Sequence, residues 1–165
     1  DAVVSSASDD LVDTMDRIRA LRQMDGAQAL VRAAKIVERT ANILKGTTPQ
    51  QAGVDRARLQ EPLEQQLYAL YESKKDEFAR LVERRSYDDA TKLFAETFYT
   101  PLHEFFDKVM VNVPDEALRQ NRLALMKAIN VLYTDRIADL SKLAILHPRV
   151  SQEAAEMTSG RAQKA

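Results

Sequence analysis

Apolar residues spaced three and four positions apart recur through most of this chain, and no other feature constrains its fold more. This spacing puts apolar side chains on one face of an α-helix. The chain has only four glycines and five prolines, too few for the many tight turns of a sheet protein. No apolar run approaches the roughly 18 residues that a membrane-spanning helix needs. We therefore predict an all-α fold, a helical bundle of about five to seven helices.

The N-terminal region predicts two helices separated by a turn at Gly26. The first has Asp9 or Asp10 as its N-cap and buries one stripe of apolar residues. That stripe contains Leu11, Met15 and Ile18, and continues at Leu21 or Arg22. The second helix runs from about Ala27 to Lys45 and ends at the Gly46-Thr47-Thr48-Pro49 turn. Its predicted core face contains Leu30, Ala34, Val37, Ala41 and Leu44.

Three further helices are predicted beyond the loop at residues 46–55. The third begins between Arg58 and Glu61, because Pro62 fits the first turn of a helix. The fourth begins after Ser86, with Asp88 and Asp89 in its positively polarised first turn. The fifth runs from Pro114 to about Thr134. A short element at residues 137–146 completes a domain of residues 1–146, and residues 147–165 are predicted to form a mobile tail because they lack large apolar residues.

The second helix also carries a basic stripe beside its apolar face. The whole chain has a net charge of −1, yet residues 17–45 contain seven cations and only two acids. The stripe, at the same helical spacing, contains Arg32, Lys35, Arg39 and Asn42. Arginine and lysine neutralise phosphates, and asparagine can hydrogen-bond a base edge or a sugar hydroxyl. The stripe therefore suggests RNA binding. The alternatives are a solvated helix face and, for Asn42, a C-terminal cap.

The residues of the chain offer little for catalysis or metal binding. The chain has no cysteine and two histidines, His103 and His147, which stand 44 positions apart. Neither histidine belongs to a metal-binding spacing, and the sequence has no Gly-rich phosphate loop or nucleophile elbow. We predict no catalytic residue and no metal ligand.

The segment 105–126 is the most distinctive in the sequence. An aromatic pair and an apolar loop lead into the proline-started last helix, which carries Arg119 and Arg122. The loop Val109-Met110-Val111 predicts either an apolar plug that closes the bundle or a platform for an unstacked base. Arg119 and Arg122 are candidate RNA contacts, although pairing of Arg122 with Asp107 would instead make it architectural.

These residues resemble the DALR-type anticodon-binding domain. That domain closes the β subunit of bacterial-type glycyl-tRNA synthetase and also occurs in arginyl-tRNA synthetase. Glu116 stands where the namesake Asp would be. The resemblance rests on Phe105-Phe106-Asp107-Lys108-Val109-Met110-Val111, Glu116-Ala117-Leu118-Arg119 and Asn121-Arg122-Leu123-Ala124-Leu125-Met126. The glycyl branch is favoured by Asp1-Ala2-Val3, by Lys35-Ile36-Val37-Glu38-Arg39-Thr40-Ala41-Asn42-Ile43-Leu44, and by Ile137-Ala138-Asp139-Leu140-Ser141-Lys142-Leu143.

The resemblance implies an appended, non-catalytic module that reads RNA. Its expected partners are the anticodon arm of tRNA-Gly, the rest of the β subunit and the glycyl-tRNA synthetase α subunit, with no membrane partner. The segment itself would hold no cofactor, since the parent ligase uses ATP and Mg on the other subunit. The expected location is the bacterial cytoplasm, or an organellar stroma or matrix in a eukaryote. The expected RNA-binding residues are Arg32, Lys35, Arg39, Asn42, Arg119 and Arg122.

Two alternative functions remain at this stage. One is the equivalent DALR domain of arginyl-tRNA synthetase, which has the same fold but a different tRNA. The other is a helical bundle that binds proteins rather than RNA, which predicts a large exposed apolar groove instead of a basic face.

Overall fold

The computed structural model describes residues 2–141, with side chains from residue 10 onward. Its regular elements are five α-helices and one short 3-10 helix, which confirms the all-α prediction. The helices are α1 (Ala2–Gln23), α2 (Gln28–Leu44), α3 (Pro62–Glu83), α4 (Tyr87–Lys108) and α5 (Glu116–Thr134), and the 3-10 helix is Arg56–Arg58. Residues 142–146 of the predicted element at 137–146 and the whole predicted tail at 147–165 lie outside the described residues.

The helix ends follow local chemistry. Gly26 and Gly46 have φ values of 75° and 74°, a left-handed backbone that glycine adopts at low cost, and they end α1 and α2. At the start of α3, Glu61 and Glu64 form a capping box and Pro62 is the first helical residue. The predicted start of α5 at Pro114 is wrong by two residues. Asp115 is the N-cap there, and its carboxylate accepts a hydrogen bond from the Leu118 amide.

α4 lies at the centre of the bundle. It packs against both α2 and α3, and α5 packs mainly on α2. A group of aromatic side chains joins α3, α4 and α5, each at most 2% exposed. Its members are Phe78, Phe94, Phe98 and Tyr133, with ring centroids 4.9–6.2 Å apart.

The predicted core face of α2 is partly wrong. Its fully buried residues are Ala33, Ile36, Val37 and Thr40, whereas the other predicted core positions are only half-buried. The buried face of α2 differs from the predicted one because α2 packs between α4 and α5. The helix therefore buries a wider face than a single neighbour would cover. Thr40 fits inside because its hydroxyl donates to the Ile36 carbonyl, 2.8 Å away, and accepts from the Asn130 amide at 2.9 Å.

The prediction for α1 is wrong in two ways. The helix begins at Ala2 rather than after Asp9 or Asp10, and three of its predicted core residues face solvent, whereas Leu21 packs against the core as predicted. Leu11, Met15 and Ile18 are 65%, 52% and 42% exposed. These three residues do form an apolar stripe, but no helix in the described part of the chain packs against it.

The opposite side of α1 is attached to the α3–α4 junction by polar contacts. Tyr87 donates a hydrogen bond to Asp13, which also pairs with Arg17. Arg85, in an unusual left-handed conformation with φ of 58°, places its Nη1 3.2 Å from an Asp16 carboxylate oxygen. Burial favours the neutral acid, yet the hydrogen bonds from Tyr87 and Arg17 outweigh it and lower the pKa of Asp13. The middle of α1 is thus held largely by ionic contacts.

Tyr133 makes stability depend on pH above neutrality. Burial raises its pKa to about 12, and its 2.8 Å hydrogen bond with the Thr91 hydroxyl offsets only part of this. An unfolded tyrosine ionises near pH 10. Stabilisation by the neutral phenol is therefore complete below pH 10 and is lost as the pH rises toward 12. The total loss is about 2–3 kcal/mol.

Urea denaturation of the native chain and of Tyr133→Phe, from pH 8 to pH 12, measures this effect. Phenylalanine cannot ionise, so we expect the stability advantage of the native chain to shrink over this range. Tyr87, whose pKa burial also raises, is present in both proteins and cancels in the difference. Two parallel stability curves would contradict the assignment.

Candidate nucleic-acid interface

A groove between α2 and α4 brings the basic stripe together with aromatic side chains. Its volume is about 330 Å³. The residues that line it are Lys35, Ile36, Glu38, Arg39 and Asn42 from α2, and Tyr99, Leu102 and His103 from α4. Three of the four members of the predicted stripe therefore border one concave surface, and Arg32 adjoins it through Tyr99.

Each arginine of the stripe lies over an aromatic ring of α4. The Arg32 guanidinium carbon is 5.0 Å from the centre of the Tyr99 ring, and that of Arg39 is 4.8 Å from the centre of the Phe106 ring. Cation–π contacts of this kind hold a planar guanidinium in a defined orientation while it keeps its charge. The arginines are thus positioned before any ligand arrives.

His103 gives Arg39 a second contact. The Nη1 atom of Arg39 lies 2.8 Å from His103 Nδ1. Since a guanidinium only donates, Nδ1 must accept, which puts the proton of the neutral ring on Nε2. Nε2 faces a carboxylate oxygen of Asp107 at 3.5 Å. This carboxylate and Arg39 together fix the orientation of the imidazole.

Lys35 and Asn42 lie exposed at the groove. The left-handed residue that ends α2 is Gly46, and Lys45 is the C-cap. The alternative that Asn42 caps the helix is therefore wrong. Its side chain lines the groove, where an amide can both donate and accept hydrogen bonds.

Arg119 and Arg122 lie outside this groove. Arg122 is 5% exposed, and its guanidinium pairs with Glu64 and donates to the Met110 carbonyl. The predicted pairing with Asp107 is wrong, because Asp107 faces His103. Arg122 therefore stabilises the fold and is not available to RNA. Arg119 is partly exposed and pairs with Glu116 on its own helix.

Over residues 2–141, no group of three or more histidine and carboxylate side chains is arranged to hold a metal ion. None of the helices in that range is long and apolar enough to cross a membrane.

A match to a family model identifies the family of the chain. The model of the DALR anticodon binding domain matches residues 28–135, nearly two thirds of the chain. The chain belongs to the DALR anticodon-binding domain family. The matched range starts at α2 and ends just after α5, so it contains both walls of the groove and leaves out α1.

The chain is similar to segments of longer proteins. It is 36% identical to a glycine–tRNA ligase beta subunit of Desulforamulus reducens over 148 residues, 38% identical to one of Geotalea uraniireducens over 143, and 36% identical to one of Anaeromyxobacter dehalogenans over 144. These alignments cover 87–88% of the chain and 20% of each relative. The chain thus spans about a fifth of the length of the curated relatives it matches.

The segment that carries the DALR resemblance has a structural role. Asn121 is fully buried, and its side chain accepts from the Asp55 amide at 2.7 Å and donates to the Asp55 carbonyl at 2.9 Å. It thereby ties the loop after α2 to α5. Val109 and Val111 are buried, as expected of an apolar plug, whereas Met110 is 72% exposed.

The sequence analysis did not predict the α4 wall of the groove between α2 and α4. Tyr99, His103 and Phe106 follow one another at intervals of four and three, which places them on one face of α4. That spacing was visible in the sequence. Its meaning was not, because such a stripe is more often part of a core, and only the packing of α4 on α2 shows which residues it faces.

Proposed function

We propose that the groove between α2 and α4 binds the anticodon arm of a tRNA. The observation that carries this proposal is the convergence of Arg32, Lys35 and Arg39 with aromatic rings on one concave surface. Cations at this spacing can contact successive phosphates, and Asn42 can hydrogen-bond a base edge or a 2′-hydroxyl. Family membership supports the same ligand. Arg119 remains a secondary candidate, since its guanidinium is only partly exposed.

We further propose that this domain serves a glycine–tRNA ligase as a non-catalytic part of its β subunit. The relatives reported above support the glycyl over the arginyl alternative, so tRNA-Gly is the expected RNA. ATP-dependent charging, with its Mg, would then take place on the α subunit, in the bacterial cytoplasm. The domain's own task would be to hold the anticodon arm while the acceptor end reacts elsewhere.

A protein-interaction bundle is the less favoured alternative. It predicts an apolar groove without a basic face, whereas Lys35, Arg39 and Asn42 border this groove beside its apolar residues Ile36 and Leu102. The exposed apolar residues Leu11, Val12, Met15 and Ile18 lie on α1, outside the groove. They suit a protein contact that is separate from RNA binding.

Reversing the three charges tests the proposed groove. We expect Arg32→Glu/Lys35→Glu/Arg39→Glu to bind the tRNA-Gly anticodon stem-loop about 10- to 100-fold more weakly than the native chain, while circular dichroism shows an intact helical fold. Binding across a salt series should show a log–log slope reduced by about 2, because three phosphate contacts are lost.

A matched control carries the same change in net charge on other surfaces. Arg80→Glu/Arg84→Glu/Lys127→Glu replaces three exposed cations that do not line the groove. It should retain most of the affinity. Equal weakening by both triple variants, or unchanged binding by the groove variant, would exclude the groove as the binding surface. Stem-loops with glycine and arginine anticodons separate the two ligase alternatives.

A further inference from the structure

Tyr99 and His103 present an aromatic surface on the α4 wall of the groove. Their ring centroids are 6.5 Å apart and their planes differ by only 23°. The two residues are one helical turn apart on α4, so their rings project from the same helix face in an offset stacked arrangement. The His103 side chain is 59% exposed, which leaves ring surface open to a ligand.

The surroundings keep this surface in place. Arg32 covers one face of the Tyr99 ring, with its guanidinium carbon 5.0 Å from the ring centre, while Arg39 and Asp107 engage the two nitrogens of His103. The contacts to His103 are made at the nitrogens on the ring edge, so they leave its π-faces for stacking. Arg39 itself is held against Phe106. A flat ligand that stacks here would have a positioned cation at its side.

We propose that Tyr99 and His103 are the stacking platform for one unpaired nucleobase. This inference rests on the proposed function, since it names the part of the RNA that the groove selects. Every base has a π-face, so a platform of this kind accepts bases in general and selects single-stranded over paired nucleotides. Arg39 then contacts the phosphate or the edge of the stacked nucleotide, and Lys35 and Arg32 contact its neighbours.

Substitution of Tyr99 tests the platform apart from charge. We expect Tyr99→Leu to weaken binding of the anticodon stem-loop about 5- to 100-fold, in line with the loss of one base–aromatic stack. The salt slope should stay unchanged, because no cation is removed. Tyr99→Phe keeps the ring and should bind within about twofold of the native chain.

Tyr71→Leu is the matched control. Tyr71 is also a half-buried helical tyrosine with a cation near its ring, since the Lys75 nitrogen lies 5.8 Å from its centre. It lies on α3, outside the groove, and its loss should leave affinity unchanged. Weakening by Tyr71→Leu as large as that by Tyr99→Leu would overturn the assignment.

A fluorescent base locates the stacked nucleotide. With 2-aminopurine placed at each loop position in turn, one position should show a change in fluorescence on binding that disappears in Tyr99→Leu. Unchanged affinity and unchanged fluorescence in Tyr99→Leu would overturn the platform while leaving the groove intact. Absence of salt-dependent binding by the native chain would instead overturn the proposed function, and the platform with it.

Discussion

Arg122→Met is expected to lower the free energy of unfolding by about 3–5 kcal/mol. Glu64 is fully buried, and one of its carboxylate oxygens is the partner of Arg122. The other accepts from the backbone amides of Gln60 and Glu61, the first at 2.9 Å. Without Arg122 a charged carboxylate stays buried without a cation, and the Met110 carbonyl loses its donor. Urea denaturation at neutral pH measures the loss.

Two comparisons isolate the buried charge as the cause. Arg119→Met removes the neighbouring surface ion pair with Glu116 and should cost no more than about 1 kcal/mol. Adding Glu64→Gln to Arg122→Met removes the unpaired charge but keeps an oxygen for the capping amides, so much of the stability should return. If Arg122→Met is no more destabilising than Arg119→Met, the pair does not have the proposed structural role.

Phe94→Ala is expected to cost a similar amount, about 3–5 kcal/mol, for a different reason. The Phe94 ring is 1% exposed and lies between the rings of Phe78, Phe98 and Tyr133. Its removal leaves a cavity where α3, α4 and α5 meet, and these helices cannot all close it at once. The transition midpoint in urea should fall while the chain remains helical.

Glu96→Ala is the control on the same helix. Its side chain is exposed, and loss of an exposed side chain changes stability by no more than about 0.5 kcal/mol in most proteins. Phe94→Leu should fall between the two, because it keeps part of the buried volume. A Phe94→Ala protein as stable as Glu96→Ala would mean that the aromatic group does not hold the three helices together.

Local features of the sequence were enough to predict most helices. Pro62, Gly26 and Gly46 act within a few residues of where they stand, so their effects could be read directly. The order and approximate bounds of α2 to α5 follow from such signals. The all-α class follows from the apolar spacing and the scarcity of glycine and proline.

Features that depend on packing could not be predicted in the same way. The predicted and the observed buried faces of α2 have only Val37 in common. Spacing alone does not show that Thr40 is buried while Leu30 is only half-buried. Thr40 becomes acceptable in the core only because the Ile36 carbonyl and Asn130 bond to its hydroxyl. Glu64 stands 58 residues before Arg122, a distance over which sequence pattern carries no information on pairing.

The candidate site shows the same division. The α2 stripe was predicted because cations at helical spacing have a direct chemical meaning. The α4 wall was not predicted, because Tyr99 and His103 indicate a binding site only when the fold places them opposite Arg32 and Arg39. Half of the groove was therefore visible in the sequence, and the other half required the fold.

The attachment of α1 implies that dissolved salt acts unequally on the two parts of the molecule. Helices α2 to α5 are held by buried apolar surface and by the buried Arg122–Glu64 pair, which salt screens much less than exposed charges. The middle of α1 is held by the attraction of Arg85 for Asp13 and Asp16, which weakens once the Debye length falls well below about 8 Å. High salt should therefore loosen the middle of α1 from the α3–α4 junction while the C-terminal end of α1, which packs on the core through Ala20 and Leu21, and the rest of the bundle stay in place.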